Sequence, residues 1–257
     1  MHRRNFCKAS AGLTGLALAG PAFAQAAPVV STVEGTLRGI ASARGFQFRG
    51  VRYADPQTQA NRFRPPLALT PWTGVRDATK DGNSALQIHA QRPDFGGPFV
   101  TGSGTTTQSE DCLFLNVFTP ALMGKRPVMF WCHGGGFASG GGTLPLYDGT
   151  NLSAFGDVVV VNVNHRLNAF GFATPTGEGA DGLSPNVGML DLVAALHWVK
   201  RNIARFGGDP ANVTIFGQSG GGAKVSTLLV MPEAQGLFHK AIVQSGSALT
   251  LAGRGNV

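Results

Sequence analysis

The chain is poor in cysteine, in charge and in long apolar runs. Only three cysteines occur among 257 residues, which excludes a disulfide framework and leaves no C-x-x-C metal pattern. Charged residues make up 14%, and no dense Lys/Arg run accompanies the net charge of +7. Nucleic-acid binding is therefore not inferred, and the surface reads as mildly basic. Beyond the N-terminus no stretch is apolar enough for a membrane helix, and no internal repeat is visible. What remains is a chain long enough to bury a large core, as one domain or a large piece of one.

The first residues read as an export signal. Arg3-Arg4-Asn5-Phe6-Cys7-Lys8 resembles a twin-arginine motif, and no acid precedes Ala24. The weakly apolar stretch Ala9 to Gly20 is too short to span a bilayer. Ala22-Phe23-Ala24 fits an A-x-A cleavage site, so residues 1–24 are expected to be removed and the mature chain to start at Gln25. The expected location is periplasmic or extracellular, in a bacterium. Cys7 leaves with this segment. Cys112 and Cys132 fall in predicted strands and are expected as buried thiols.

Glycine, by contrast, is abundant, with 37 residues. It is concentrated where the sequence is most informative, in Val213-Thr-Ile-Phe-Gly-Gln-Ser-Gly-Gly-Gly-Ala223. This stretch reads as a buried strand, an abrupt turn and the start of a helix. Gly217-Gln218-Ser219-Gly220-Gly221 is a G-x-S-x-G, in which a strained serine projects from the carboxyl end of a strand. The following helix aims its first N–H groups at the same point. With so much glycine the pentapeptide alone is weak support, and a plain glycine-rich loop fits it too. A phosphate-binding loop fits poorly. Gly217 and Gly222 have its spacing, but Lys224 stands one place late and Val225 replaces the hydroxyl residue.

Along the chain, Val29–Val33, Gly35–Ile40 and Phe46–Phe48 alternate and predict a small antiparallel meander. Arg52–Thr73 reads as an extended surface segment and Gly96–Gln108 as a mobile loop. Strands are predicted at Cys112–Phe118, Pro127–Cys132, Val158–Val163 and Ala241–Ser245. A helix is predicted at Leu190–Phe206, stopped by Gly207-Gly208. Apolar strands alternating with helices predict an α/β fold: a mainly parallel central sheet covered on both faces. Ligands of such sheets sit at the carboxyl ends of strands. Two glycine-rich segments lie there, His133-Gly-Gly-Gly-Phe137 and Gly217–Gly222. Together they fit acyl transfer: Ser219 as nucleophile, with backbone N–H groups of Gly135, Gly136 and Gly220 stabilising the oxyanion.

These residues resemble the type-B carboxylesterase/lipase family, which includes cholinesterases and bacterial relatives with the α/β-hydrolase fold. Glu110-Asp-Cys-Leu-Phe-Leu-Asn-Val-Phe-Thr-Pro120 and Phe206 to Gly221 match its two long signatures. Arg62-Phe63, Asn164 to Phe172, Asn186 to Asp191 and Gln244 to Ser247 are further echoes, so the resemblance runs from about Val29 to Ala248. It implies Ser219 as the acyl-forming nucleophile and Gly135, Gly136 and Gly220 as oxyanion donors. It also implies structural salt bridges Arg62–Glu110 and Arg166–Asp191, and at Ser245 a buried serine supporting a catalytic histidine. The implied substrate is a small-molecule carboxylic ester, with no metal or organic cofactor.

The sequence departs from the family at four places. Gln218 replaces a glutamate common beside the serine, and Gly220 replaces the usual alanine. Ala85 occupies the place of the cysteine that pairs with Cys112 in many secreted relatives. The order Ser, acid, His is not completed on late loops: after Ser219 stand only Glu233 and His239, both before the strand at Ala241. The expectation is therefore the N-terminal part of an α/β-hydrolase domain at residues 25–257. The catalytic acid and histidine would lie beyond Val257, and the chain alone would have little activity. An inactive fragment or partial gene product, and a non-catalytic cholinesterase-like binding protein, are the alternatives.

Overall fold

The computed structural model describes residues 26–88, 107–174, 176 and 183–246. The predicted signal at 1–24 and most of the glycine-rich segment 96–108 lie outside these.

Among the described residues ten strands form two sheets. β1 (Val29–Ser31) and β2 (Thr36–Arg38) pair antiparallel, and β5 (Val75–Asp77) joins β2 in parallel. The central sheet takes β3 (Ile40–Ser42), β4 (Gly45–Arg52), β6 (Phe114–Thr119), β7 (Arg126–Cys132), β8 (Val159–Val163), β9 (Gly208–Gln218) and β10 (Lys240–Gln244), in the order β10-β9-β7-β8-β6-β4-β3. The predicted meander is thus divided: its first hairpin belongs to the small sheet, and β3–β4 extends the central one. The strands β10, β9, β7 and β8 pair in parallel; β6, β4 and β3 continue the sheet antiparallel. The parallel part carries the glycine-rich segments.

Register shows why the middle strands read as unbroken apolar runs. Phe130 pairs with both Val161 and Ile215, so the three share a face. They join Leu192, Leu196 and Val199 of helix α3 (Val187–Asn202) in one core cluster. Their neighbours Val160, Trp131 and Phe216 face the other way. There the turn at Gly149, before helix α1 (Thr150–Gly156), comes against Phe118 and Val160, and Tyr147 packs on Trp131. Both faces of β8 are therefore covered, and all five of its residues are buried. A short helix α2 (Asn168–Phe172) precedes α3, and α4 (Gly220–Leu228) follows β9 directly. As predicted, α3 gives way to a tight turn at Ile203–Phe206 and stops at Gly207, whose φ of 77° suits glycine.

The Pro/Arg-rich segment after Arg52 is not simply a surface strap. Tyr53, Ala54, Gln57 and Leu69 are buried, and Tyr53 Oη donates to the carbonyl of Asn164 at 2.7 Å. The phenol gives a large side chain one polar handle that finds a partner inside, which composition alone does not reveal. Cys112 and Cys132 are both buried free thiols, as expected.

Candidate active site

The site begins where β9 ends. Ser219 has φ 56° and ψ −124°, a conformation rare and costly for a residue with a side chain. Its surroundings hold it there. Ser219 N–H donates to the carbonyl of Gln244 on β10 at 2.8 Å, and its carbonyl accepts from Ala223 N–H at 3.1 Å. A Cβ on Gly221 would lie 2.0 Å from the carbonyl oxygen of Cys132, and one on Gly217 would lie 2.5 Å from the backbone of Gly221. Only glycine lets strand and helix turn this closely on each other. Ser219 itself is exposed. Among the described residues, no histidine or carboxylate is hydrogen-bonded to its hydroxyl.

The second glycine segment reaches the same place from β7. Gly134 lies against the elbow: its Cβ would be 2.9 Å from the Gln218 carbonyl oxygen and 3.6 Å from Ser219 Cβ. Gly135 and Gly136 have φ of 94° and 64°. A Cβ on Gly220 would meet the backbone of Gly136 at 2.4 Å. The two segments that the sequence joined into one site are therefore in direct backbone contact. Gly220 replaces the alanine of the family pattern at this contact, and the loop lies in the space a methyl would occupy. Among the described residues, the N–H groups of Gly135, Gly136 and Gly220 donate to no protein acceptor.

Beneath the loop lies a buried polar layer. The rings of His133 and His165 stack with centroids 4.8 Å apart. Each Nδ1–H donates to a nearby carbonyl, Gly134 O at 2.8 Å and Arg166 O at 2.7 Å, and each buried Nε2 has no partner among the described residues. Burial, then the positive charge of Lys224, push His133 down to about 3 and His165 well below its usual value. Both are neutral supports rather than bases. Lys224 is fully buried, and its Nζ donates to His133 O at 3.1 Å.

The other residues singled out from the sequence divide cleanly. Arg62 and Glu110 form a two-pronged ion pair at 2.8 and 2.5 Å. Arg166 and Asp191 form another in the core, at 2.9 and 2.6 Å, which makes Asp191 structural as expected. His239 Nδ1 accepts from Val213 N–H at 3.1 Å. Val213 precedes Ser219 by six strand positions, roughly 20 Å. His239 therefore cannot serve Ser219, and Glu233 is exposed in the turn Pro232–Ala234 before it. Ser245 is exposed, with φ 52°, where the family pattern implied a buried serine. Lys224 was missed as a site residue. It shares the buried stripe Gly221, Val225 and Leu228 of α4, so a lysine on an apolar helical face was the available signal.

This elbow and loop can be set against known proteins. A model described as Carboxylesterase family matches residues 26–253. The chain belongs to the carboxylesterase family. Para-nitrobenzyl esterase of Bacillus subtilis is 43% identical over 224 residues, covering 87% of this chain and 44% of that protein. Human cocaine esterase is 41% identical, covering 96% of this chain and 45% of its own length. Among solved structures, a carboxylesterase of Geobacillus stearothermophilus superposes with a TM-score of 0.76 at 47% identity, over 86% of this chain and 44% of that one. A PNB esterase superposes with a TM-score of 0.76 at 42% identity, over 85% and 44%. The fold is that of the α/β-hydrolases, and this carboxylesterase-family chain spans under half the length of these relatives. Among its described residues no helix is long and apolar enough to cross a membrane, and no three His, Cys, Asp or Glu side chains are grouped to hold a metal ion.

Proposed function

We propose that the chain carries the nucleophile and oxyanion hole of a carboxylic-ester hydrolase. The observation that carries this reading is the exposed Ser219, held at φ 56° with the Gly134–Gly136 backbone against its elbow. Ser219 Oγ attacks the ester carbonyl carbon and gives its proton to a base. The carbonyl π bond opens, and the oxyanion takes hydrogen bonds from Gly135, Gly136 and Gly220, each worth about 3–4 kcal/mol in such sites. The oxyanion then re-forms the carbonyl, the ester C–O bond breaks, and the alcohol leaves with the proton from the base. Water releases the acid from Ser219 by the same steps in reverse roles. The substrate is a small carboxylic ester, as the names of the relatives indicate for those proteins. The chemistry needs no metal or organic cofactor. Residues 1–24 direct export, and the exported protein is expected to begin at Gln25 on N-terminal sequencing.

No base bonded to Ser219 is present among the described residues, so the 257-residue chain is expected to be slow by itself. Oxyanion stabilisation and binding alone give roughly 10³–10⁴-fold over water. Added imidazole can stand in for the base. Hydrolysis of a short-chain aryl ester should accelerate with imidazole well above the rate with Ser219→Ala, with a transient acyl group on Ser219 by mass spectrometry. Equal rates for the two proteins at every imidazole concentration would overturn the assignment. Fast turnover without imidazole, abolished in Ser219→Ala, would show that a base is already in place.

A further inference from the structure

Lys224 is unused by the chemistry above, yet its surroundings are specific. It projects from α4 into the layer below the three-glycine run, fully buried. Its Nζ donates to the carbonyl of His133, the residue just before the run. The same Nζ lies 5.4 Å from the ring centroid of Phe137, the residue just after it. Phe137 is itself fixed, edge-on to Phe172, and its carbonyl accepts from Asn168 N–H at 2.7 Å. Among the described residues Lys224 has no carboxylate within ion-pair distance. The titratable groups facing it are Cys132 and His133 from the end of β7 and His165 from the segment after β8, and His165 is backed by the Arg166–Asp191 pair.

We infer that Lys224 is a positioning residue: a buried ammonium that grips both ends of the Gly134–Gly136 run and so holds the oxyanion donors against the Ser219 elbow. Three consecutive glycines have more freedom to lose than any other tripeptide, so a loop built from them needs an anchor at each end. A charge-assisted hydrogen bond supplies one and a cation–ring contact the other. The charge also places positive potential behind the position where an oxyanion forms. Burial pushes Lys224 down to about 7, so its ammonium is lost near neutral pH. A neutral amine is a weaker donor and is not drawn to the ring, so the grip relaxes as pH rises through that value. The consequence for rate rests on the ester-hydrolase reading; the loop geometry does not.

The test compares the chain with Lys224→Met and Lys224→Gln. Amide exchange is followed at Ser139 and Asn168, whose N–H groups are held by Gly135 O and Phe137 O. After correction for intrinsic rates, exchange at pH 6 is expected to be about tenfold faster in Lys224→Met than in the parent. The gap should close by pH 8.5, and Lys224→Gln should show no such pH dependence. Unfolding in urea gives the second readout: Lys224→Met should have a higher midpoint at pH 6, since it no longer buries a charge. Equal exchange at pH 6, a gap unchanged at pH 8.5, or a lower urea midpoint would overturn the inference. The imidazole-dependent ester assay is read separately. Loop effects as expected with no Ser219-dependent turnover would sink the hydrolase reading and leave this one standing. Ser219-dependent turnover with an unaffected loop would do the reverse.

Discussion

Among the described residues two cations lie in the interior, and they are held in opposite ways. Arg166 keeps 3% of its side chain exposed and faces Asp191 with two side-chain hydrogen bonds, while its own N–H adds a third at 3.0 Å. Lys224 is equally buried but meets a carbonyl and a ring face. The first arrangement answers a charge with a charge and ties the segment after β8 to α3. The second leaves a charge without a counter-charge, directly under the glycine run that meets the elbow. A chain folded for stability alone has no reason to keep it. The difference separates a cation that maintains the fold from one placed at a site.

The strongest way to break this comparison is to strip Arg166 of its partner. Asp191→Ala leaves a guanidinium buried and uncompensated, and breaking such a pair costs about 3–5 kcal/mol. Urea unfolding at pH 7 should show a loss of that size, or no folded protein at all. A loss below about 1 kcal/mol would mean that the pair adds little to stability. Arg166 and Lys224 would then not be different in kind.

Removing Lys224 should have the opposite sign. Folding lowers its affinity for a proton from 10.5 to about 7, so unfolding takes up a proton between those values. The destabilisation by Lys224 is therefore full below about pH 7, shrinks as pH rises, and is gone by about 10.5. Lys224→Met should gain roughly 2–4 kcal/mol at pH 6 and much less at pH 9. Stability curves for the two proteins should converge upward in pH. Parallel curves would mean that Lys224 does not change its charge in this range.

Much of this could be read from the chain, but not evenly. β8 announced itself as an apolar run because all five of its residues are buried. In β7 and β9, Val128, Phe130, Cys132, Val213 and Ile215 are buried, and the half-buried apolar side chains of Met129, Trp131 and Phe216 complete the run. The Ser219 bend was legible because its close backbone contacts demand glycine at fixed places. β4 was only partly legible. Its prediction stopped at Phe48, whereas the strand continues to Arg52 through an irregularity between Phe48 and Val51. The arginines there look like loop residues until their partners are known: Arg49 pairs with Asp81 and Asp148, and Arg52 with Asp111. Those partners are distant in sequence, so no local pattern carries them. Lys224 hid for a related reason. Its spacing from Gly217 bears only on phosphate binding, whereas its role depends on the buried face of α4 that it occupies.

The smallest expected effect sets the lower end of the scale. Arg126 Nε donates to Asp157 at 2.6 Å, but the Asp157 side chain is 74% exposed. Its geometry is as short as that of the buried pair, so distance alone would rank them together. Water decides otherwise, since an exposed pair gains little over its hydrated partners. Asp157 also closes α1 with φ 47°, a left-handed conformation that asparagine tolerates as readily. Asp157→Asn therefore removes the charge and keeps the turn. It should cost no more than about 1 kcal/mol in urea unfolding, and less in high salt. A cost near that of Asp191→Ala would show that short contacts, rather than burial, separate the cations of this protein, and the contrast between Arg166 and Lys224 would lose its physical basis.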